Sequence, residues 1–213
     1  MTARNEREYT QSERQASSQS KAEVYESWYR TPRGRWIGEL EYGLVRRLLR
    51  ARPQESVLDV GCGTGYFTRR FAQDQDGAVV GVDPDVDAVE YARHHTAARE
   101  TYVVGHGEAL PFPSRSFDLC VSITAMCFVQ DQVTFLREMA RVARRSVAVG
   151  LLNRHSLLWR REGFDTSCRT PQLWIGWRPA SHSGYIPARP SEARLPCSVL
   201  HLRHPPTGIL TQL

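Results

Sequence analysis

The segment Val57-Leu58-Asp59-Val60-Gly61-Cys62-Gly63-Thr64-Gly65 constrains this chain more than any other: an apolar run leads straight into three alternating glycines and then into a helical pattern. Glycines let the backbone turn sharply and approach a ligand with no Cβ in the way. The helix that follows offers unpaired N–H groups and the positive end of its dipole to a negative group. The segment therefore predicts a strand–turn–helix unit that binds a carboxylate or phosphate.

The surrounding pattern repeats that unit. Ser56–Val60, Ala78–Val82, Thr101–Val104, Phe117–Ile123 and Ser146–Leu152 read as strands, and Tyr66–Ala72, Val86–Ala97 and Gln132–Ala143 as helices. Asp85 and Asp131 stand at N-cap positions. Near-continuous apolar strands alternating with helices predict an α/β fold: a Rossmann-like, doubly wound, mostly parallel sheet with helices on both faces. Upstream, Ala22–Arg30 reads as a short helix, Thr31-Pro32-Arg33-Gly34 as a turn, and Ile37, Leu40, Leu44, Val45, Leu48 and Leu49 as the stripe of an amphipathic helix ending before Pro53. Residues 1–21 are polar and aperiodic and are expected to be a disordered arm. Residues 22–162 form the ligand-binding domain, and 163–213 an irregular tail that holds seven of the twelve prolines.

Length and composition narrow the function classes. A chain of 213 residues fits one core, and no apolar run approaches the roughly 20 residues that span a bilayer. Without a secretory pattern, the expected location is cytoplasmic. The odd set Cys62, Cys120, Cys127, Cys168 and Cys197 lacks zinc or redox spacing and reads as reduced thiols. No metal site is expected, since the adjacent His94 and His95 diverge around a helix. The net charge of +5 lies wholly in the tail, because 19 Arg and one Lys cancel 20 acids over residues 1–150. That distribution argues against a nucleic-acid surface, and no membrane partner is expected.

Two acidic positions refine the ligand. A dinucleotide turn has G-x-G-x-x-G spacing, whereas this one is G-x-G-x-G preceded by Asp59, which would repel a pyrophosphate. An acid beside a carboxylate-binding helix suits a ligand with both ammonium and carboxylate, such as the amino-acid end of S-adenosyl-L-methionine. In Val79-Val80-Gly81-Val82-Asp83-Pro84-Asp85, Asp83 ends the second strand about twenty residues after the turn, where a carboxylate accepts from both ribose hydroxyls.

On these residues the sequence resembles the class I S-adenosylmethionine-dependent methyltransferases, specifically the type-11 group that includes quinone-biosynthesis enzymes, over residues 22–160. The resemblance implies a cofactor site of Asp59, Gly61, Cys62, Gly63, Gly65, Asp83 and Pro84, with Glu108-Ala109-Leu110-Pro111-Phe112 and Phe117-Asp118 leading into the fourth strand. Ser122, Ile123 and Thr124 then sit where relatives line the methionine end. Where the family commonly has Gly-Asp-Ala-Glu, this chain has Gly105-His106-Gly107-Glu108, so His106 either accepts from the adenine amino group or is a plain loop residue. Cys62 reads as a space-filler within the turn. Tyr25, Trp28 and Tyr29 are either packing or a lid over the cofactor. The implied enzyme is a transferase that moves a methyl group by SN2 displacement to oxygen, carbon or nitrogen of a small molecule, with no catalytic residue identified. The alternative is a cofactor-binding relative that has lost catalysis. After Arg161 the resemblance stops, which fits an insertion or a shifted reading frame. The family's two antiparallel edge strands are therefore expected to be missing or aberrant, leaving Ser146–Leu152 unpaired.

Overall fold

Helix α1 (Lys21–Arg30) starts where the Ser20 hydroxyl accepts the Glu23 N–H. The computed structural model describes residues 20–152 and the strand Cys197–Arg203. Ser20 and Lys21 thus belong to a capped helix, not to the arm; the rest of the arm lies outside the described residues.

The expected turn at Thr31 is shorter than read. Thr31 is the sole link between α1 and α2 (Pro32–Leu49): its hydroxyl donates to Trp28 O at 2.7 Å and accepts the Gly34 N–H at 3.0 Å. Pro32 opens α2, where a missing N–H costs nothing. The buried stripe of α2 is also rotated from the predicted one. It runs through Gly34, Ile37, Gly38, Glu41, Tyr42, Val45 and Leu49, with Leu40, Leu44 and Leu48 only flanking it. Apolar periodicity alone missed the line because two glycines, a carboxylate and a phenol lie on it.

The remaining elements are β1 (Val57–Val60), α3 (Tyr66–Asp74), β2 (Val79–Asp83), α4 (Val86–His94), β3 (Thr101–Val104), β4 (Phe117–Ile123), a single 3-10 turn (Met126–Phe128), α5 (Gln132–Val142), β5 (Ala143–Leu152) and β6 (Cys197–Arg203). Asp85 and Asp131 cap α4 and α5, each accepting two backbone N–H groups. The sheet order is β3-β2-β1-β4-β5-β6, with β1 to β5 parallel. One face packs Leu58, Val60 and Cys120 against Phe135 and Met139 of α5. The other packs Val57, Leu119 and Ala148 against Val45 and Leu49 of α2 and Phe67 and Phe71 of α3. The doubly wound reading stands.

The C-terminal edge differs from expectation. Strand β6 pairs antiparallel with β5 from Ser146↔Arg203 to Leu152↔Cys197, so β5 is not left open. Backbone N–H and C=O groups along β5 make this edge a template for any extended segment, and a Val, Leu-rich stretch of the tail fills it. The rest of the expected irregular tail lies outside the described residues.

Thr31→Ala should lower stability by about 1 kcal/mol, since a helix cap is lost at the hinge between two helices. Thr31→Ser should restore most of it. Urea denaturation of the three proteins measures both effects.

Candidate active site

The three glycines of the turn are all left-handed: Gly61 at φ 77°, Gly63 at φ 50° and Gly65 at φ 84°. The turn is bound to the end of β2. Gly61 and Cys62 donate to Val82 O at 2.8 and 3.1 Å, and Gly63 N donates to Asp83 Oδ2 at 2.8 Å. Asp83 Oδ1 accepts from Asp85 N at 2.9 Å. Each carboxylate oxygen can accept a second hydrogen bond, so Asp83 fixes the turn and still has capacity for two hydroxyls. Gly65 caps α3 with no side-chain hydrogen bond, so no side chain satisfies the first N–H groups of that helix from the cap position.

The glycines are required for different reasons. A Cβ on Gly61 would lie 2.2 Å from the Ala125 Cβ, and one on Gly65 2.6 Å from the Tyr102 hydroxyl, whereas one on Gly63 meets nothing within 4 Å. Gly63 is therefore the one that faces open space. Gly107 is a packing glycine, since a Cβ there would strike the Phe135 ring at 2.2 Å.

Two carboxylates converge beneath the turn. Asp59 is 2% exposed and its Oδ2 accepts the Thr68 hydroxyl at 2.7 Å. Burial pushes its pKa up to about 7; the Thr68 hydrogen bond opposes the shift and the nearby Asp83 adds to it. Burial likewise raises Asp83, against the pull of the backbone N–H groups of Asp85 and Gly63. Low dielectric disfavours two adjacent negative charges, so this floor is suited to a cation.

The N-terminal helix lies directly on the turn. Glu26 Oε2 accepts from Thr64 Oγ1 at 2.7 Å and Oε1 from Arg69 Nη2 at 2.5 Å, while Arg69 Nη1 donates to Thr64 O at 2.7 Å. Tyr29 is buried, stacked on Tyr66 at 3.8 Å and 11°. Trp28 meets Tyr29 edge-on at 4.9 Å. The Tyr25 ring is half exposed, and its hydroxyl turns inward to 3.3 Å from that of Tyr29, against Thr124 and near Glu41. The Tyr29 ring is thus held by packing, with its hydroxyl beside that of Tyr25, and Tyr25 reaches the end of β4.

Other expected site residues are distributed around this centre. Thr124 follows β4 at φ 58° and is half-buried, whereas the Ile123 side chain belongs to the core. Ser122 Oγ is buried without a hydrogen bond among the described residues. The Cys62 side chain packs with Val89, Ala92 and Tyr102, and burial pushes its thiol well up, so only its backbone is left for a ligand. Pro84 is exposed beside Asp83. His106 is exposed in a turn closed by Ala109 N to His106 O at 3.1 Å, with Glu108 half-buried. His94 and His95 each bond back to their own helix, at Glu90 O and Tyr91 O.

Sequence reasoning missed Glu26, Arg69 and Glu41, together with the exposed Val104, which pairs with Asp83 in the sheet, and the exposed Val86, which opens the next helix. The available signal for the two glutamates was a carboxylate spaced among apolar positions of a helix.

Residues 58–149 match the family described as a methyltransferase domain. An uncharacterized protein of Mycobacterium tuberculosis is 36% identical over 121 residues, 57% of this chain and 39% of its own. The malonyl-[acyl-carrier protein] O-methyltransferase of Erwinia pyrifoliae is 35% identical over 135 residues, 59% of this chain and 51% of its own. The crystal structure of the YcgJ protein of Bacillus subtilis matches with a TM-score of 0.50 and 27% identity over 54% of this chain and 51% of that one. This chain spans about half, or less, of the length of these curated relatives. The resemblance drawn from the glycine turn and Asp83 agrees with these likenesses, in which residues 58–149 match the methyltransferase-domain family.

Gly63→Ala should leave the chain folded and weaken S-adenosylmethionine binding at least tenfold, because its methyl enters the open side of the turn. Gly61→Val should instead lose stability, since its side chain strikes Ala125 and not ligand space, which corrects the simpler reading that any glycine of the turn reports on the ligand. Asp83→Ala should also bind at least tenfold more weakly, as a charged acceptor to hydroxyls is worth about 1.5–3 kcal/mol. Calorimetry with cofactor, paired with thermal melts, separates the three outcomes.

Proposed function

We propose that this chain, whose residues 58–149 carry a methyltransferase domain, binds S-adenosylmethionine at the glycine turn and moves its methyl group by direct displacement to an oxygen, carbon or nitrogen atom of a small molecule. The observation that carries the reading is the pair of carboxylates, the buried Asp59 and the half-buried Asp83, beside a left-handed turn whose Gly63 faces open space. A pyrophosphate would be repelled there; a sulfonium and an ammonium relieve the charge.

The parts divide as follows. Asp83 takes the ribose hydroxyls, the bare N-terminus of α3 takes the carboxylate, and Asp59 faces the ammonium. Pro84, Val86 and Val104 offer apolar surface for the base, with His106, Gly107 and Glu108 on the loop beside it. Tyr25 and Thr124 stand at the methionine end. The cofactor supplies a methyl group already activated by its sulfonium. The chain has to align the acceptor with that group and exclude water, and α1, fixed over the turn by Glu26, is placed to do the second.

Asp59 gives a pH signature. With its pKa at about 7 in the free chain, it is largely protonated at pH 6, and a neighbouring cation favours its ionised form. Binding then releases a proton below pH 7, so affinity should rise with pH up to about 7 and level off above it. Calorimetry at pH 6 in two buffers of different ionisation enthalpy should report up to about one proton released. Asp59→Asn should abolish that release and bind more weakly at pH 8. Equal profiles for parent and variant exclude Asp59 from the cofactor site.

A further inference from the structure

Glu41 has no role in the machinery above, and its surroundings call for one. It lies on the sheet-facing side of α2, 4% exposed. Among the described residues no side chain donates a hydrogen bond to it and no cation pairs with it. The other buried glutamate over the site, Glu26, holds both a hydroxyl and a guanidinium. A buried carboxylate without such partners is costly, and burial pushes Glu41 up to about 7.

The groups around it are those of a reaction site. From α1, the hydroxyls of Tyr25 and Tyr29 lie close enough to feel its charge, and Glu26 stands behind Tyr25. From α3, Tyr66 stacks on Tyr29, and from the end of β4, Thr124 touches Tyr25. From β5 and β6 the register sets Cys197, Ser198 and Val199 beside Leu152, Leu151 and Gly150, a stretch without a charged residue. Glu41 therefore lies within electrostatic reach of two hydroxyls, those of Tyr25 and Tyr29, and Tyr25 in turn touches Thr124 at the strand end where the methionine portion of the cofactor is proposed to lie.

We propose that Glu41 is the catalytic base for the methyl acceptor, with the Tyr25–Tyr29 hydroxyl pair and Thr124 positioning the acceptor against it. The inference rests on the methyl-transfer reading and deepens it by naming the acceptor class: a nucleophile that still bears its proton, an amine N–H or a hydroxyl. The lone pair of the acceptor atom forms the new bond to the methyl carbon, and the electron pair of the breaking S–C bond stays on sulfur. The acceptor's proton passes to the Glu41 carboxylate, which becomes neutral. A base that titrates near the working pH is best matched to this task. Amines and phenols are the simplest probes of the class.

The test compares the full chain with Glu41→Gln. Ionising Glu41 in the folded chain is disfavoured between its ordinary value of 4.5 and about 7, so the parent loses stability as pH rises through that window and no more above it. Glu41→Gln lacks that loss. Asp59 titrates in both proteins and cancels. The variant should therefore melt several degrees above the parent at pH 8, with the gap closing toward pH 4.5. Its affinity for S-adenosylmethionine should stay within about twofold of the parent's, and methyl transfer to benzylamine or catechol should fall about 100-fold or more, with the rise in rate up to pH 7 lost. A variant that melts below the parent at every pH, or fails to fold, shows a structural carboxylate and overturns the proposal. Retained turnover with an unchanged pH profile does the same. Failure of the parent to bind S-adenosylmethionine would strike the cofactor reading, and calorimetry reports that separately from the melts.

Discussion

The hydrogen bond from Gly63 N to Asp83 Oδ2 ties the ends of β1 and β2 to one another, and the rest of the site is arranged around it. It holds Gly63 at φ 50°, a left-handed conformation that glycine adopts at least cost. The same turn carries Thr64 up to Glu26 and directs the chain into α3, whose Thr68 returns to Asp59. Two strands, two helices and two buried acids are thereby fixed by about one turn of irregular backbone. That concentration explains why the glycines differ: Gly61 and Gly65 make room for protein, whereas Gly63 faces open space.

The parts of the fold that follow from backbone periodicity were legible in the sequence. Strands β3 and β4 lie where the apolar runs place them, and Asp85 and Asp131 cap the helices they precede, because a local side chain–backbone bond depends on little else. The face of α2 was not legible. Its contact line contains Gly38, which lies against the Tyr66 ring, and Tyr42, whose hydroxyl reaches Asp74 at 2.6 Å; both depend on α3, which only the fold brings near. The pairing of β6 was hidden for a similar reason. An edge strand is selected by the open ladder of its neighbour more than by its own pattern, and Cys197–Arg203 sits amid prolines and serines. Of the site, the turn, Asp59 and Asp83 could be read from spacing. The Glu26–Arg69 pair could not, since residues 43 apart in sequence meet only when α1 folds over α3.

Three carboxylates buried around one turn are not equivalent. Glu26 is compensated by Arg69 within a part-buried pair, so its charge serves to fasten one helix to another. Asp59 and Glu41 are held up at about 7 by burial. The first kind of group holds the fold together, and the second kind weakens it, as functional groups held away from solvent do. The distinction can be drawn without any ligand, from which acids the chain has supplied with a cation.

Helix α1 has one further property. It is joined to α2 through Thr31 alone, and it is fastened to the domain by the Glu26 contacts, by the Tyr29–Tyr66 stack and by the contact of Arg30 with Tyr91. These contacts reach the turn, α3 and α4 in that order. A molecule bound beneath α1, as proposed above, would leave only when they part, and Thr31 is the one residue between α1 and α2 about which α1 could pivot. Residence time in such a site is then a property of the hinge and its fasteners, set apart from the rate of bond making in the chamber below.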